Sequence, residues 1–261
     1  MRGKKALNYG GTGWHVFINL LLGTTLFGIA IYGGLAFHTL AFLLLLPVPY
    51  FIFRAFKWRA GSALEEKLKI REELVKLVRP KEGDKVLDVG TGGGLLAIGF
   101  AKAAKDVKAT GIDLWIPGGG GTSLKTARSN AEIEGVADRV EFKRADARNI
   151  PYPDNYFDIV VASFVLHIIY KDRDKAFREM VRVLKPRGKF AIMEPSGGYR
   201  WKVDERLKEK LEGLGLVNIK INPMVVHYPE KRNVYVIYGE KGKRPEPPAS
   251  IQETFPHPLH H

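Results

Sequence analysis

The sequence predicts an α/β fold, a doubly wound and mostly parallel sheet, preceded by an apolar helical hairpin. Three observations carry this. From Val86 onward, short apolar runs alternate with amphipathic stretches, the pattern of strands joined by helical crossovers. The stretch "VLDVGTGGGLLAIGFAKAA" ends a strand in a glycine cluster and then opens a helix. Between Lys5 and Arg54 no residue carries a full charge.

The uncharged region holds two runs, Trp14–Tyr32 and Leu35–Phe53, with Gly33-Gly34 between them. Each reaches roughly 28 Å as a helix, about one hydrocarbon core. Gly-Gly suits a tight turn, so the pair reads as a transmembrane hairpin. Arg2, Lys4 and Lys5 precede it, and Arg54, Lys57 and Arg59 follow. Two crossings put both basic flanks on one side, which the positive-inside rule makes cytoplasmic, and the rest of the chain with them. Trp14 and Tyr50 fall at headgroup level, Pro47 and Pro49 bend the end of the second helix, and His15 and His38 read as interfacial side chains. The second run argues against a cleaved signal peptide. A hairpin lying in one leaflet, or buried against a partner chain, is the alternative.

Residues 1–60 are therefore an anchor, 61–240 a globular domain, and 241–261 a Pro-rich tail expected to be disordered. His257, His260 and His261 in the tail have no ligand spacing, and no metal site is expected. The chain of 261 residues contains no cysteine, which excludes disulfides, thiolate metal sites and a thiol nucleophile. Of the net charge of +13, six positive charges lie in residues 1–60 and +7 remains on the rest. A solvated Lys/Glu-rich surface accounts for that remainder better than a nucleic-acid partner does.

The domain opens with a helix. Ser62 and Glu65 have capping-box spacing, Leu64, Leu68, Val75 and Val78 form its apolar stripe, and Pro80 stops it. Val86–Val89 is a buried strand, and the helix behind the glycines runs from Gly94 to about Lys105. "VKATGID" (107–113) is the second strand. "SLKTARSNAEIEG" (123–135) is a helix capped by Gly135. "VEFKRAD" (140–146) is the third strand and "FDIVVASFVL" (157–166) the fourth. Ala176, Phe177, Met180, Val181 and Leu184 mark a helix ended by Pro186. "KFAIMEP" (189–195) is the fifth strand, and "VNIKINPMVV" pairs with "NVYVIYG" to close the domain.

In such a sheet the ligand sits at the carboxyl ends of the strands. A P-loop is excluded, because no Lys-Ser/Thr follows the glycines. A dinucleotide is harder to dismiss, since Gly92-x-Gly94-x-x-Ala97 fits the glycine fingerprint and Asp113 lies about 20 residues on as a ribose acid. Asp88 discriminates. A carboxylate two residues before Gly90 repels a pyrophosphate but suits the cationic ammonium and sulfonium of S-adenosylmethionine. Glycines at 90, 92 and 94 let the backbone approach the methionine part. Asp113 can take the ribose hydroxyls, with Leu114 against the adenine. Asp146 can accept from the adenine amino group, with the Ala147 amide beside the ring.

The segments "VLDVGTGGG", "TGID", "RVEFKRADARNIPYPDNYFDIVVASFVLHII" and "AFREMVRVLKPRGKFAIMEP" together resemble class I S-adenosylmethionine-dependent methyltransferases, in particular the small-molecule branch with the ubiquinone/menaquinone C-methyltransferases. The resemblance covers about 80–240. It implies a Rossmann-like seven-stranded sheet with the last strand antiparallel, the cofactor over the first two strands and the acceptor above the fourth and fifth. Thr91 and Ser163 join the cofactor set. Two departures stand out. "IPGGGG" (116–121) lengthens the loop after Asp113, and Arg187 occupies a position where the family often has glycine.

Methyl transfer from a sulfonium needs alignment first and a base only where the acceptor must lose a proton. His167, just past the fourth strand, is the candidate base, by position and by the range in which imidazole titrates. Glu194 is placed to orient the acceptor, and Tyr199 and Trp201 to line an apolar pocket or rest on the membrane. Covalent cytosine methylation needs a cysteine. The Asn/Asp-Pro-Pro-Tyr motif of amino-group methylation is replaced by "ASFVLH" (162–167). A small lipophilic or membrane-resident acceptor remains, such as a prenylated ring, a lipid headgroup or an alkyl thiol. A tethered RNA or protein methyltransferase, or a non-enzymatic membrane module, are the rival readings.

Overall fold

The structure is a computed structural model and describes residues 7–10, 13–36, 45–60, 64–116, 122–197, 201–227 and 231–243. The proposed cap Ser62, His38, Tyr199, the Gly118–Gly121 stretch, and the tail from 244 lie outside these residues, as do the side chains of Trp14 and His15.

The N-terminal region departs from the expected hairpin. Helix α1 runs from Gly13 to Ala36, through the Gly33-Gly34 pair that was expected to turn. Without β-branched crowding or proline, the helix has no reason to stop there; glycine weakens a helix but does not end it. Helix α2 spans Val48–Ala60, so Pro47 and Pro49 open a helix instead of bending the end of one, a position where a missing N–H goes unnoticed. Among the described residues, one helix is long and apolar enough to cross a membrane, with its span at Val16–Gly34. Its apolar side chains are largely exposed: Phe17, Leu21, Phe27 and Ile29 are all about half accessible. Helices α1 and α2 pack together, Gly23 facing the Cβ of Phe51.

The rest is a three-layer α/β unit. Helix α3 (Leu64–Val78) is followed by β1 (Lys85–Val89), α4 (Leu95–Ala103), β2 (Lys108–Asp113), α5 (Leu124–Ile133), β3 (Val140–Arg144), β4 (Phe157–Ser163), α6 (Arg173–Val183), β5 (Leu184–Pro195), α7 (Glu205–Gly213), β6 (Leu216–His227) and β7 (Lys231–Lys241). The seven strands lie in the order β3-β2-β1-β4-β5-β7-β6. Strand β7 is antiparallel to both neighbours, β5 and β6, while the other pairs are parallel. Chain direction reverses its lateral progress between β1 and β4, which makes the crevice above their carboxyl ends the switch point. Pro223 sits in β6, and an outer strand is where a residue without an N–H is tolerated.

Both faces of the sheet are covered. On one, Ile70, Leu74 and Val78 of α3 pack with Phe100 of α4 and Ala127 of α5. On the other, Phe177 and Met180 of α6 meet Leu207 and Leu211 of α7 and Trp201. The stripe expected for α3 is rotated. Leu64 is exposed, and the buried face runs Lys67, Ile70, Leu74 and Val78. Helix α7 was not anticipated at all: it is short, Lys/Glu-rich and offers only Leu207 and Leu211 to the core, with Asp204 accepting from the Leu207 amide as its cap. Arg187 has φ +62°, the left-handed conformation that glycine adopts at no cost. Gly135 likewise has positive φ after α5, as expected of its capping position.

Candidate active site

A cavity of about 640 Å³ opens above the ends of β1, β2 and β4. Asp88, Gly90, Thr91, Gly92, Asp113, Leu114, Asp146, Ala147 and Ser163 all line it. Gly94 does not; it occupies the left-handed position before α4 and faces the ring of Phe142. Gly90 also has positive φ, and a Cβ there would come within 2.4 Å of Val165. The approach of the β4 loop to the glycine loop therefore excludes any side chain at 90.

Asp88 does not simply point at a ligand. It is buried, and its Oδ2 accepts from the Thr91 hydroxyl at 2.6 Å and the Ala97 amide at 3.0 Å. It thus pins the glycine loop to the first turn of α4. Burial pushes its carboxyl up to about 6, against the pull of those two donors. Asp113 does similar work: Oδ2 accepts from the Gly92 amide at 2.9 Å and Oδ1 from the Trp115 amide at 2.7 Å. Each oxygen keeps a further acceptor direction. Asp146 is held by Arg148, whose Nε and Nη2 reach its two oxygens at 3.0 and 2.7 Å. These bonds hold the Asp146 carboxyl below the usual range.

These contacts decide between the cofactors. The amides of Gly90 and Thr91 donate to Ile112 O, that of Gly92 to Asp113, and that of Gly94 to Thr91 O. A pyrophosphate needs such amides free, and here they are bonded inside the loop. Three carboxylates line the cavity instead. Of the three cations that line it among the described residues, Lys67 donates to main-chain carbonyls, Arg148 to Asp146, and Lys171 is exposed at the opening. A cradle with carboxylates at the ends of three neighbouring strands, and with the Gly90, Thr91 and Gly92 amides already bonded, suits S-adenosylmethionine, a cation without phosphate, better than a dinucleotide. Asp113 and Asp146 are the residues that would hold its ribose and adenine, and Asp88 the one that would favour its cationic end.

The acceptor residues fall differently from expectation. Glu194 is fully buried and is not on the cavity wall. Its Oε1 accepts from the Val165 and Leu166 amides at 2.9 and 2.7 Å, and its Oε2 lies 2.6 Å from His167 Nδ1. Glu194 therefore braces the loop after β4 instead of meeting an acceptor. Trp201 is a core residue: it is buried, stacks on Phe177 and lies under the Arg173 guanidinium. His167 is partly exposed, on the 3-10 turn Leu166–Ile168, between cavity-lining Val165 and Ile168 but not itself on the wall.

Sequence reasoning missed one wall entirely. The segment Leu7–Gly10 lies across the domain as a strap. Asn130 receives the Asn8 amide on Oδ1 at 3.0 Å, while its Nδ2 donates to Asn8 O at 2.7 Å and to Gly93 O at 2.9 Å. Lys67 Nζ donates to Tyr9 O at 3.0 Å and also to Gly10 O. Tyr9 OH bonds Glu134, which also pairs with Arg71 at 2.6 Å. Tyr9 and Lys67 line the cavity, and burial lowers the Lys67 ammonium to about 8. The readable trace was Lys67 itself, a charge on the i, i+3, i+7 face with Ile70 and Leu74, which requires a buried partner.

Known proteins agree with this chemistry. Residues 87–192 match a family profile described as Methyltransferase domain. The ubiquinone/menaquinone biosynthesis C-methyltransferase UbiE of Pseudomonas fluorescens is 39% identical over 120 residues, covering 46% of this chain and 45% of that protein. The chain thus spans under half the length of that curated relative. Among solved structures, the [4+2]-cyclase SpnF is 22% identical with a TM-score of 0.56, over 68% of this chain and 82% of that one. Phosphoethanolamine N-methyltransferase 2 of Haemonchus contortus, in complex with S-adenosyl-L-methionine, is 20% identical with a TM-score of 0.55, over 67% and 53%. Those two likenesses concern the fold, and one fold serves several reactions. Residues 87–192 thus match the Methyltransferase domain family, and the sheet that carries them has the fold of the class I S-adenosylmethionine-dependent methyltransferases.

Proposed function

We propose that the protein is a membrane-anchored methyltransferase that acts on a small lipophilic acceptor, with its catalytic domain on the cytoplasmic side. One observation carries this reading: the strap Leu7–Gly10, which walls the cofactor cavity, leads within three residues into the exposed apolar helix α1. The strap and α3 are both docked on the same domain. The chain between them must therefore return to its starting side. That supports a paired crossing, or a hairpin dipping into one leaflet, over a single pass. Helix α2 alone is about 20 Å long, too short to cross.

Bound S-adenosylmethionine supplies an activated methyl group. The chain's own contribution is alignment in a largely apolar chamber. Phe164, Val165, Ile168 and Ile169 line it, and they select an acceptor with a hydrophobic body. Among such acceptors we favour a prenylated ring methylated at carbon, since the UbiE relative is a C-methyltransferase of ubiquinone/menaquinone biosynthesis. His167, placed between cavity-lining Val165 and Ile168, is assigned as the proton acceptor, a role that requires its ring to turn from behind the wall into the chamber. Both Glu194 oxygens accept backbone amides, so the hydrogen-bond network assigns the His167 Nδ1 proton to the bond with Glu194 and leaves Nε2 as the basic nitrogen.

The test is transfer itself. Native membranes incubated with the protein and methyl-labelled cofactor should place the label in the organic lipid extract. Label confined to RNA or to protein would overturn the reading.

A further inference from the structure

We propose that the rim of the cofactor cavity is a bilayer-docking face, so that the acceptor passes from the membrane into the cavity without crossing water. This rests on the anchored reading above and adds to it which surface meets the membrane. Two loops build the rim. Ile116 follows β2, and Ile168 and Tyr170 follow β4; they are 58%, 50% and 71% exposed, yet all three line the cavity. Large apolar side chains left in water around the opening of an apolar chamber mark an interaction surface. Exposed Arg144 and Lys171 flank them, the basic border that suits anionic headgroups.

The occupant is fixed by continuity with the anchor. Tyr9 belongs to the opposite wall of the same cavity, and α1 begins three residues after Gly10. Three residues of chain span at most about 11 Å, so the anchor leaves the domain beside the cavity and not from its far side. Once α1 is in the bilayer, the cavity is drawn against the headgroups. A rim of isoleucine and tyrosine is then buried at the interface, as in interfacial anchors.

The absence of cysteine makes the test direct, because one introduced thiol is the sole labelling site. Full-length Ile168→Cys and Tyr170→Cys proteins would each carry an environment-sensitive fluorophore. Phe27→Cys in α1 reports insertion, and Glu209→Cys on the exposed face of α7 reports water. Each is reconstituted into phosphatidylcholine–phosphatidylglycerol vesicles bearing an acyl-chain nitroxide, with circular dichroism and melting temperature as the check on folding. Positions 168 and 170 should lose about half of their emission or more, as position 27 does, while position 209 keeps its emission; such depths belong to the headgroup–acyl boundary. Quenching at 27 without quenching at 168 and 170 overturns the docking face and leaves the anchor standing. A blue shift at 168 and 170 without quenching means that protein covers the rim, and also overturns it. No quenching at 27 overturns the anchored reading, and this inference with it.

Discussion

Asp88 meets two opposed demands, being buried to hold the glycine loop and acidic to suit a cationic cofactor. Its raised value of about 6 gives a signed prediction. Between the usual carboxylate range and about 6, the folded protein retains a proton that the unfolded chain has released, so apo stability falls as pH rises through that window and is flat above it. Affinity for S-adenosylhomocysteine should move the other way, rising across the same window as the carboxylate ionises. Asp88→Asn should weaken binding by about 1–3 kcal/mol and flatten the pH dependence, as read by calorimetry at several pH values. At His167 the expected outcome concerns rate. His167→Gln should lower turnover by about 10²–10⁴-fold with cofactor affinity unchanged. Full turnover would make the Glu194–His167 pair a loop brace alone.

At the scale of elements, the strap and the β5 turn offer the sharpest tests. A Cβ on Gly93 would lie 2.9 Å from Tyr9 Cα and 3.0 Å from Asn8 O, both backbone atoms that cannot swing aside. Gly93→Ala should therefore lift the strap and destabilise the protein by about 1–3 kcal/mol, seen as a lower melting temperature. Arg187 is the converse case. Its side chain is exposed and its φ is +62°, so Arg187→Gly should raise stability by about 1 kcal/mol, the relief of left-handed backbone offsetting the added freedom of the unfolded chain.

For the whole molecule, the strap changes what a soluble version must contain. A chain beginning at Leu64 lacks Tyr9 and leaves Asn130 and Lys67, both buried, without their strap partners. A chain in which a flexible linker replaces residues 11–60 keeps them, and the linker can be short because Gly10 is bonded to Lys67 in the first turns of α3. The linked chain should be soluble, melt higher and bind S-adenosylhomocysteine more tightly than the chain from Leu64. Equal melting and equal affinity would show that the strap is not part of the site. Full-length protein should stay in membranes through a carbonate wash, and release by that wash would remove the anchor.

Apart from α7 and the N-terminal helices, the order of strands and helices, the glycine loop and the three carboxylates at Asp88, Asp113 and Asp146 were legible in the sequence, because apolar periodicity and turn residues act locally. The class of cofactor followed from one local fact, a carboxylate beside the glycines. What each acid bonds was not legible. Asp88 to Ala97 and Asp113 to Gly92 are contacts made only once β1, β2 and α4 converge. Glu194 and Trp201 looked like acceptor residues because they end or follow a strand, yet β5 is a central strand and its end is roofed by the β4 loop and α6, which makes one a brace and the other core. The Gly33-Gly34 turn failed for a related reason: dipeptide propensity is weak against a continuous helix. The strap was invisible, since Leu7–Gly10 has no period and its partners lie more than 50 residues away in the chain. Local chemistry thus named the ligand class, and only long-range packing decided which residues wall the cavity and how the apolar helix is joined to it.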